Sequence, residues 1–168
     1  LTDDINDAVN FADVLIFAVP SAFLVSELKK LKSPLKDKII FSAIKGIVPE
    51  SGLIVGEHFH EIYKIPFENI GVITGPCHAE EVAMERLSYL TIACADKDKA
   101  QLIAKNLSSN YIKTNISKDI IGTEYAAMLK NIYAIAAGIA HGLGYGDNFQ
   151  SVLMSNAIRE MKRYTKRI

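Results

Sequence analysis

Apolar positions fall into two textures along the chain. Over residues 13–115 short apolar runs alternate with amphipathic stretches, whereas beyond Asp119 apolar residues spread over nearly every face of one long segment. Residues 13–19, Asp-Val-Leu-Ile-Phe-Ala-Val, form an apolar run stopped by Pro20, the pattern of a strand buried on both faces. In the next stretch Phe23, Leu24, Leu28 and Leu31 recur at helical spacing while Glu27, Lys29 and Lys30 turn outward, and Ser21 is placed to cap the helix. The alternation repeats, predicting strands at 38–44, 70–74 and 89–95, helices at 52–63, 77–86 and 97–107, and a short edge-like strand at 111–115. Such alternation implies βαβ crossovers and a largely parallel sheet covered on both sides. The direction of the last two strands is left open by the pattern.

Residues 122–143 are rich in alanine and β-branched residues on almost every face, which predicts a buried helix. The run Gly142-Leu143-Gly144-Tyr145-Gly146-Asp147-Asn148 stops it, with Asp147 or Asn148 capping a second helix over 150–167. The basic residues of that second helix, Arg159, Lys162, Arg163, Lys166 and Arg167, read as a solvated face. By pattern alone the fold class is α/β: the later half of an open sheet domain over residues 1–118, passing into an all-helical region over 119–168.

Composition narrows the function classes. Lys and Arg number 19 against 19 Asp and Glu, so no net positive charge supports a bulk grip on nucleic acid. Two cysteines make neither a disulfide framework nor a zinc set, and no metal is expected. The longest strongly apolar stretch, 132–139, is far shorter than the roughly 18–20 residues that span a bilayer. These features point to a folded, cytoplasmic type of protein that partners neither membrane nor nucleic acid. The chain opens with Leu1 in a polar segment, which suggests a piece of a longer protein.

An open α/β sheet binds ligands at the carboxyl ends of its strands, so the segments after each strand carry the chemical interest. After the first come Pro20, Ser21 and Phe23, either a plain turn into a helix or an apolar edge for a cofactor. After the second come Lys45 and Gly46, a cation over the ligand edge beside a residue that permits close approach; read alone, Lys45 is a surface lysine. After the third, Gly75-Pro76-Cys77-His78-Ala79-Glu80-Glu81 leads into a helix whose first N–H groups lack partners and suit an anion or a carbonyl. No base is placed by spacing to activate Cys77, and His78 reads as a bystander. Lys130-Asn131 lies mid-way along the most apolar helix. A lysine buried there is rare unless paired or used, the alternative being a stem that reaches out to water.

Five segments in this order carry a resemblance: Ala-Val-Pro-Ser at 18–21, Ile-Lys-Gly-Ile at 44–47, Gly-Pro-Cys-His-Ala-Glu-Glu at 75–81, Leu-Lys-Asn-Ile-Tyr-Ala-Ile-Ala-Ala-Gly at 129–138 and Gly-Leu-Gly-Tyr-Gly-Asp-Asn at 142–148. Together they resemble NAD(P)-dependent glycerol-3-phosphate dehydrogenase over essentially the whole chain. The resemblance implies a Rossmann-like doubly wound sheet followed by the start of a helical catalytic domain. It implies NAD(P)H as cofactor, reduction of dihydroxyacetone phosphate to sn-glycerol 3-phosphate for glycerophospholipid synthesis, and allows a homodimer. Position by position, it implies Lys130 as the catalytic proton donor and acceptor. It places Lys45, Gly75, Cys77, Lys130 and Asn131 at the substrate, and Pro20, Phe23, Lys45 and Ala79 at the cofactor.

Two departures accompany the resemblance. Cys77 stands where most bacterial relatives carry Ser or Thr; a backbone contact survives that change, while a hydroxyl bond weakens. The family's Gly-x-Gly-x-x-Gly turn does not occur in this chain, nor do its later Gly-Asp-Leu and Arg-Asn segments, so the chain alone is expected not to turn over. The competing readings are a related 6-phosphogluconate or 3-hydroxyacid dehydrogenase, which also uses a helical Lys-Asn pair, and a non-catalytic truncated module.

Overall fold

A computed structural model describes residues 1–168. Five strands form one sheet in the order β1 (Val14–Phe17), β2 (Ile39–Ser42), β3 (Ile70–Thr74), β4 (Ser88–Cys94) and β5 (Ile112–Ser117). β1, β2 and β3 run parallel; β4 is antiparallel to β3, and β5 is parallel to β4. The two strands whose direction the pattern left open therefore both run against the first three.

Helices cover the sheet on both faces. α1 (Ile5–Phe11), α2 (Ser21–Leu28) and α3 (Val55–Tyr63) bury Val9, Leu24, Leu28, Val55 and Phe59 against Leu15, Ile40 and Ile70. On the opposite face α5 (Lys97–Leu107) buries Ala100, Ile103 and Ala104 against Phe41, Ile73, Ile92 and Cys94. The split follows the two-residue period of a pleated strand: Ile40 and Phe41, or Ile70 and Ile73, point to opposite sides. Gly71 is part of that core by having no side chain. A Cβ there would overlap the Phe41 ring of the neighbouring strand.

The polar opening segment forms α1, an element the hydrophobic pattern does not predict. Asp4 caps it by accepting a hydrogen bond from the Asn6 N–H at 2.7 Å, and Val9 is its one buried residue. The helix after Gly75 is shorter than predicted. α4 runs Ala79–Ala83 only, because His78 is still extended and Glu85 takes a left-handed φ of 55°. Ser21 is the first residue of α2 and caps nothing; likewise α7 (Asp147–Thr165) starts from Gly146 without a side-chain cap.

α6 (Ile120–Gly142) is capped by Asp119, whose carboxylate accepts from the Gly122 N–H at 2.8 Å. Its first turns pack on β3 and α3, burying Ile120 against Val72 and Ala93, and α7 folds back along it. The expectation of a helix buried all round is corrected. Only Ile120, Gly122, Glu124 and Ala140 are buried, while Ile132, Ile135 and Ile139 are 55%, 66% and 59% exposed. No helix is long and apolar enough to cross a membrane.

Candidate active site

The carboxyl ends of β1, β2 and β3 point to one edge of the sheet, and α6 crosses near it. Between them lies a cleft of about 420 Å³. One wall is the end of β3, Thr74 and Gly75, with Thr91 of β4 paired opposite Thr74. The other is the face of α6 carrying Gly122, Thr123, Ala126, Ala127 and Lys130, with Met161 of α7 closing one side. Residues 123, 126, 127 and 130 share that face because they repeat at helical spacing. Small side chains at Gly122, Ala126 and Ala127 leave room beside the helix backbone, and the threonines line the cleft with hydroxyls.

Lys130 is the only cation lining the cleft. It is exposed rather than buried, which corrects the sequence expectation, and it enters neither of the ion pairs. The only other ionisable lining residue, Asp119, lies eleven residues away along α6, about 16 Å at helical rise, with its carboxylate engaged in the cap. The ammonium is therefore free to meet a ligand in the cleft.

Gly75 faces Lys130 across this space. Its φ is 140°, and a Cβ would overlap the Tyr89 carbonyl oxygen, so no other residue fits without moving the turn. The turn is tied to β4 by the Tyr89 N–H donating to the Pro76 carbonyl at 3.2 Å. Cys77 is half-buried outside the cleft lining, and Ala79 is exposed at the start of α4. Since α4 has five residues and begins after Cys77, the predicted helix N-terminus at Cys77 is absent. Asn131 is exposed beside Lys130 and is not among the residues that line the cleft.

The remaining strand ends adjoin one another. Lys45 is exposed after β2, and Gly46 follows with a φ of 103°. The position its Cβ would take is 3.7 Å from Ser21 Oγ, which sets the turn after β1 against the turn after β2. Pro20 introduces α2, its carbonyl accepting from the Phe23 N–H at 2.9 Å, and the Phe23 ring is 59% exposed. A flat apolar ring, an open glycine turn and a lysine on one sheet edge fit the part of a dinucleotide that would cross β1 and β2.

One charged residue escaped the sequence reading. Glu124 on α6 is 5% exposed; its Oε2 accepts from the Gly56 N–H at 2.9 Å, and its Oε1 has no partner. Burial pushes its carboxyl up to about 7, and the nearby charge of Glu57 adds to this, against the pull of the Gly56 and Val55 N–H groups. The signal was present, since an acid in an alanine-rich helix is as anomalous as the lysine six positions later. The threonine lining was harder to find, because Thr91 meets Thr74 only through the register of an antiparallel pair.

Residues 1–100 match the family described as NAD-dependent glycerol-3-phosphate dehydrogenase N-terminus, and residues 119–168 match its C-terminus. A glycerol-3-phosphate dehydrogenase [NAD(P)+] from an Exiguobacterium species is 38% identical over 164 residues, covering 96% of this chain and 48% of the relative. The same-named protein of Corynebacterium jeikeium is 36% identical, covering 96% and 49%. Among solved structures, the glycerol-3-phosphate dehydrogenase of Plasmodium falciparum superposes with a TM-score of 0.84 at 30% identity, over 95% of this chain and 45% of that one. That of Coxiella burnetii gives 0.82 at 26% identity, over 97% and 50%. The chain spans about half the length of the curated relatives it matches.

Proposed function

The chain belongs to the NAD-dependent glycerol-3-phosphate dehydrogenase family, and from that premise we propose that its protein reduces dihydroxyacetone phosphate to sn-glycerol 3-phosphate, with Lys130 supplying the proton. The observation that carries the reading is the pairing of Lys130, sole cation of the cleft lining, with the Gly75 turn on the facing wall. When bound, a nicotinamide dinucleotide supplies the hydride. The Lys130 ammonium hydrogen-bonds the ketone oxygen, stabilises the negative charge that develops on it, and hands it a proton. In the reverse direction the neutral amine takes the proton back from the hydroxyl.

Lys45 meets the substrate and the cofactor from the end of β2, its charge matched to a phosphate. Gly75 and Cys77 offer the substrate backbone groups, which makes the cysteine's weak donor immaterial, and Asn131 contacts substrate from the next position on α6. Pro20, Phe23 and the backbone of Ala79 border the cofactor. Residues 1–118 serve as the dinucleotide-binding unit and 119–168 as the start of the catalytic one. A cytoplasmic enzyme feeding glycerophospholipid synthesis, with a homodimer as its assembly, completes the proposal.

The test is Lys130→Met in the full-length protein. Turnover of dihydroxyacetone phosphate should fall by about 10²–10⁴, the usual worth of a positioned acid, while dinucleotide affinity by fluorescence titration stays within twofold. Near-normal turnover would remove Lys130 from the chemistry.

A further inference from the structure

A buried carboxylate is costly unless something uses it, and an apolar residue of similar size fills the same space with no unpaired oxygen. Glu124 is such a group outside the cleft. Its hydrogen bond reaches the second residue of α3, across 68 positions of sequence. α3 needs it, because Ile54 at its N-cap has no side chain that can bind the free N–H groups. By contrast α1, α5 and α6 are capped locally by Asp4, Asp96 and Asp119.

The approach is close on both sides. A Cβ on Gly56 would stand 2.8 Å from Glu124 Oε2 and 3.3 Å from Ile120 Cγ2, so any larger residue there would displace the carboxylate from its present place. Lys130 follows Glu124 by six residues on the same helix, about 9 Å along it and roughly 120° around it. When Glu124 is held against α3, Lys130 is turned to the cleft. A rotation of α6 by about 20° would carry a group ~6 Å from its axis by ~2 Å, and misplacement by about 1 Å is enough to cost on the order of 10² in rate.

We infer that Glu124 is a positioning residue for the reaction proposed above: by capping α3 it fixes the rotation of α6 and thereby the place of the Lys130 ammonium in the cleft. The inference rests on Lys130 being the proton donor.

The experiment compares Glu124→Ala, Glu124→Asp, Glu124→Gln and Lys130→Met in the full-length protein, each at a temperature where circular dichroism shows it folded. Glu124→Ala should lower kcat at least tenfold while KM for the dinucleotide stays within twofold. Glu124→Asp, too short to reach Gly56, should do the same and serves if the alanine variant does not fold. Glu124→Gln keeps an acceptor at the same reach and should return kcat to within threefold of wild type. A kcat within twofold of wild type in folded Glu124→Ala or Glu124→Asp, or a glutamine variant as slow as they are, overturns the inference. If those variants are fully active while Lys130→Met is dead, only the positioning role falls; if Lys130→Met turns over normally, the functional reading falls instead.

Discussion

Exchanging the buried Glu124 for glutamine should change how the stability of the 168-residue chain depends on pH. The folded carboxyl is pushed up from 4.5 to about 7, chiefly by burial. Between those values the native state holds a proton that the unfolded chain releases, so this group's contribution falls as pH rises and the full penalty is present above pH 7. A shift of about 2.5 units corresponds to ~3 kcal/mol, of which roughly 2–3 kcal/mol develops between pH 5 and pH 8. Glu57 of α3 is the neighbouring charge that opposes ionisation, and β3 brings no ionisable side chain. Glutamine keeps a carbonyl for the Gly56 N–H and carries no charge at either pH. Urea unfolding of both proteins at pH 5 and pH 8 isolates the effect as a difference of differences: the glutamine variant should gain ~2–3 kcal/mol on wild type over that interval. Profiles that run parallel within about 0.5 kcal/mol would mean that Glu124 does not titrate there, and the reasoning from its burial would be wrong.

Other perturbations probe separate parts of the molecule. His58 is buried with its Nε2 unpartnered, and burial lowers its pKa below 6.5; its stabilising contribution is present above that value and lost as pH falls. The Glu124→Gln variant should therefore retain a slope of the opposite sign in the acid range, which a further His58→Gln change should flatten in the same urea titrations. Gly71→Ala places a methyl group where the fully buried Phe41 ring lies and should cost about 1–3 kcal/mol, with Phe41→Leu recovering part of it in the double variant by thermal melting. Gly75→Ala forces a β-carbon into the Tyr89 carbonyl at a φ of 140°; in the full-length protein it should lower kcat/KM at least tenfold, and unchanged kinetics would free the turn of any role.

The first three strands were legible because each lies inside a short apolar run closed by Pro, Gly or a polar pair: Val14–Phe17 within 13–19, Ile39–Ser42 within 38–44 and Ile70–Thr74 at 70–74; β4 starts at Ser88, one residue ahead of its predicted run, and β5 continues to Ser117, two residues past its own. Strand direction was not legible, since β3 and β4 bury their faces equally well in either sense. α1 was missed because one buried valine leaves no periodic stripe. The helix beyond Asp119 shows where composition misleads. Its apolar residues suit burial, but Ile132, Ile135 and Ile139 are each left more than half exposed. The lysine of α6 is exposed on the cleft, and the ionisable group that the helix does bury is Glu124. Lys130 and Gly75 meet in one cleft, as a strand-end site requires. Lys45, Pro20 and Phe23 gather on the adjoining edge, a juxtaposition that depends on strand order and could not be read from spacing.

The cap on α3 has a consequence for synthesis. The oxygen that satisfies Gly56 is added to the nascent polypeptide 68 residues after it, a delay of roughly 3–14 s at about 5–20 residues per second. For that interval the first turn of the helix must remain hydrated or frayed, however well the strands behind it have assembled. Translation thus reaches the segment bearing the lysine at about the moment when the earlier helix can first be completed.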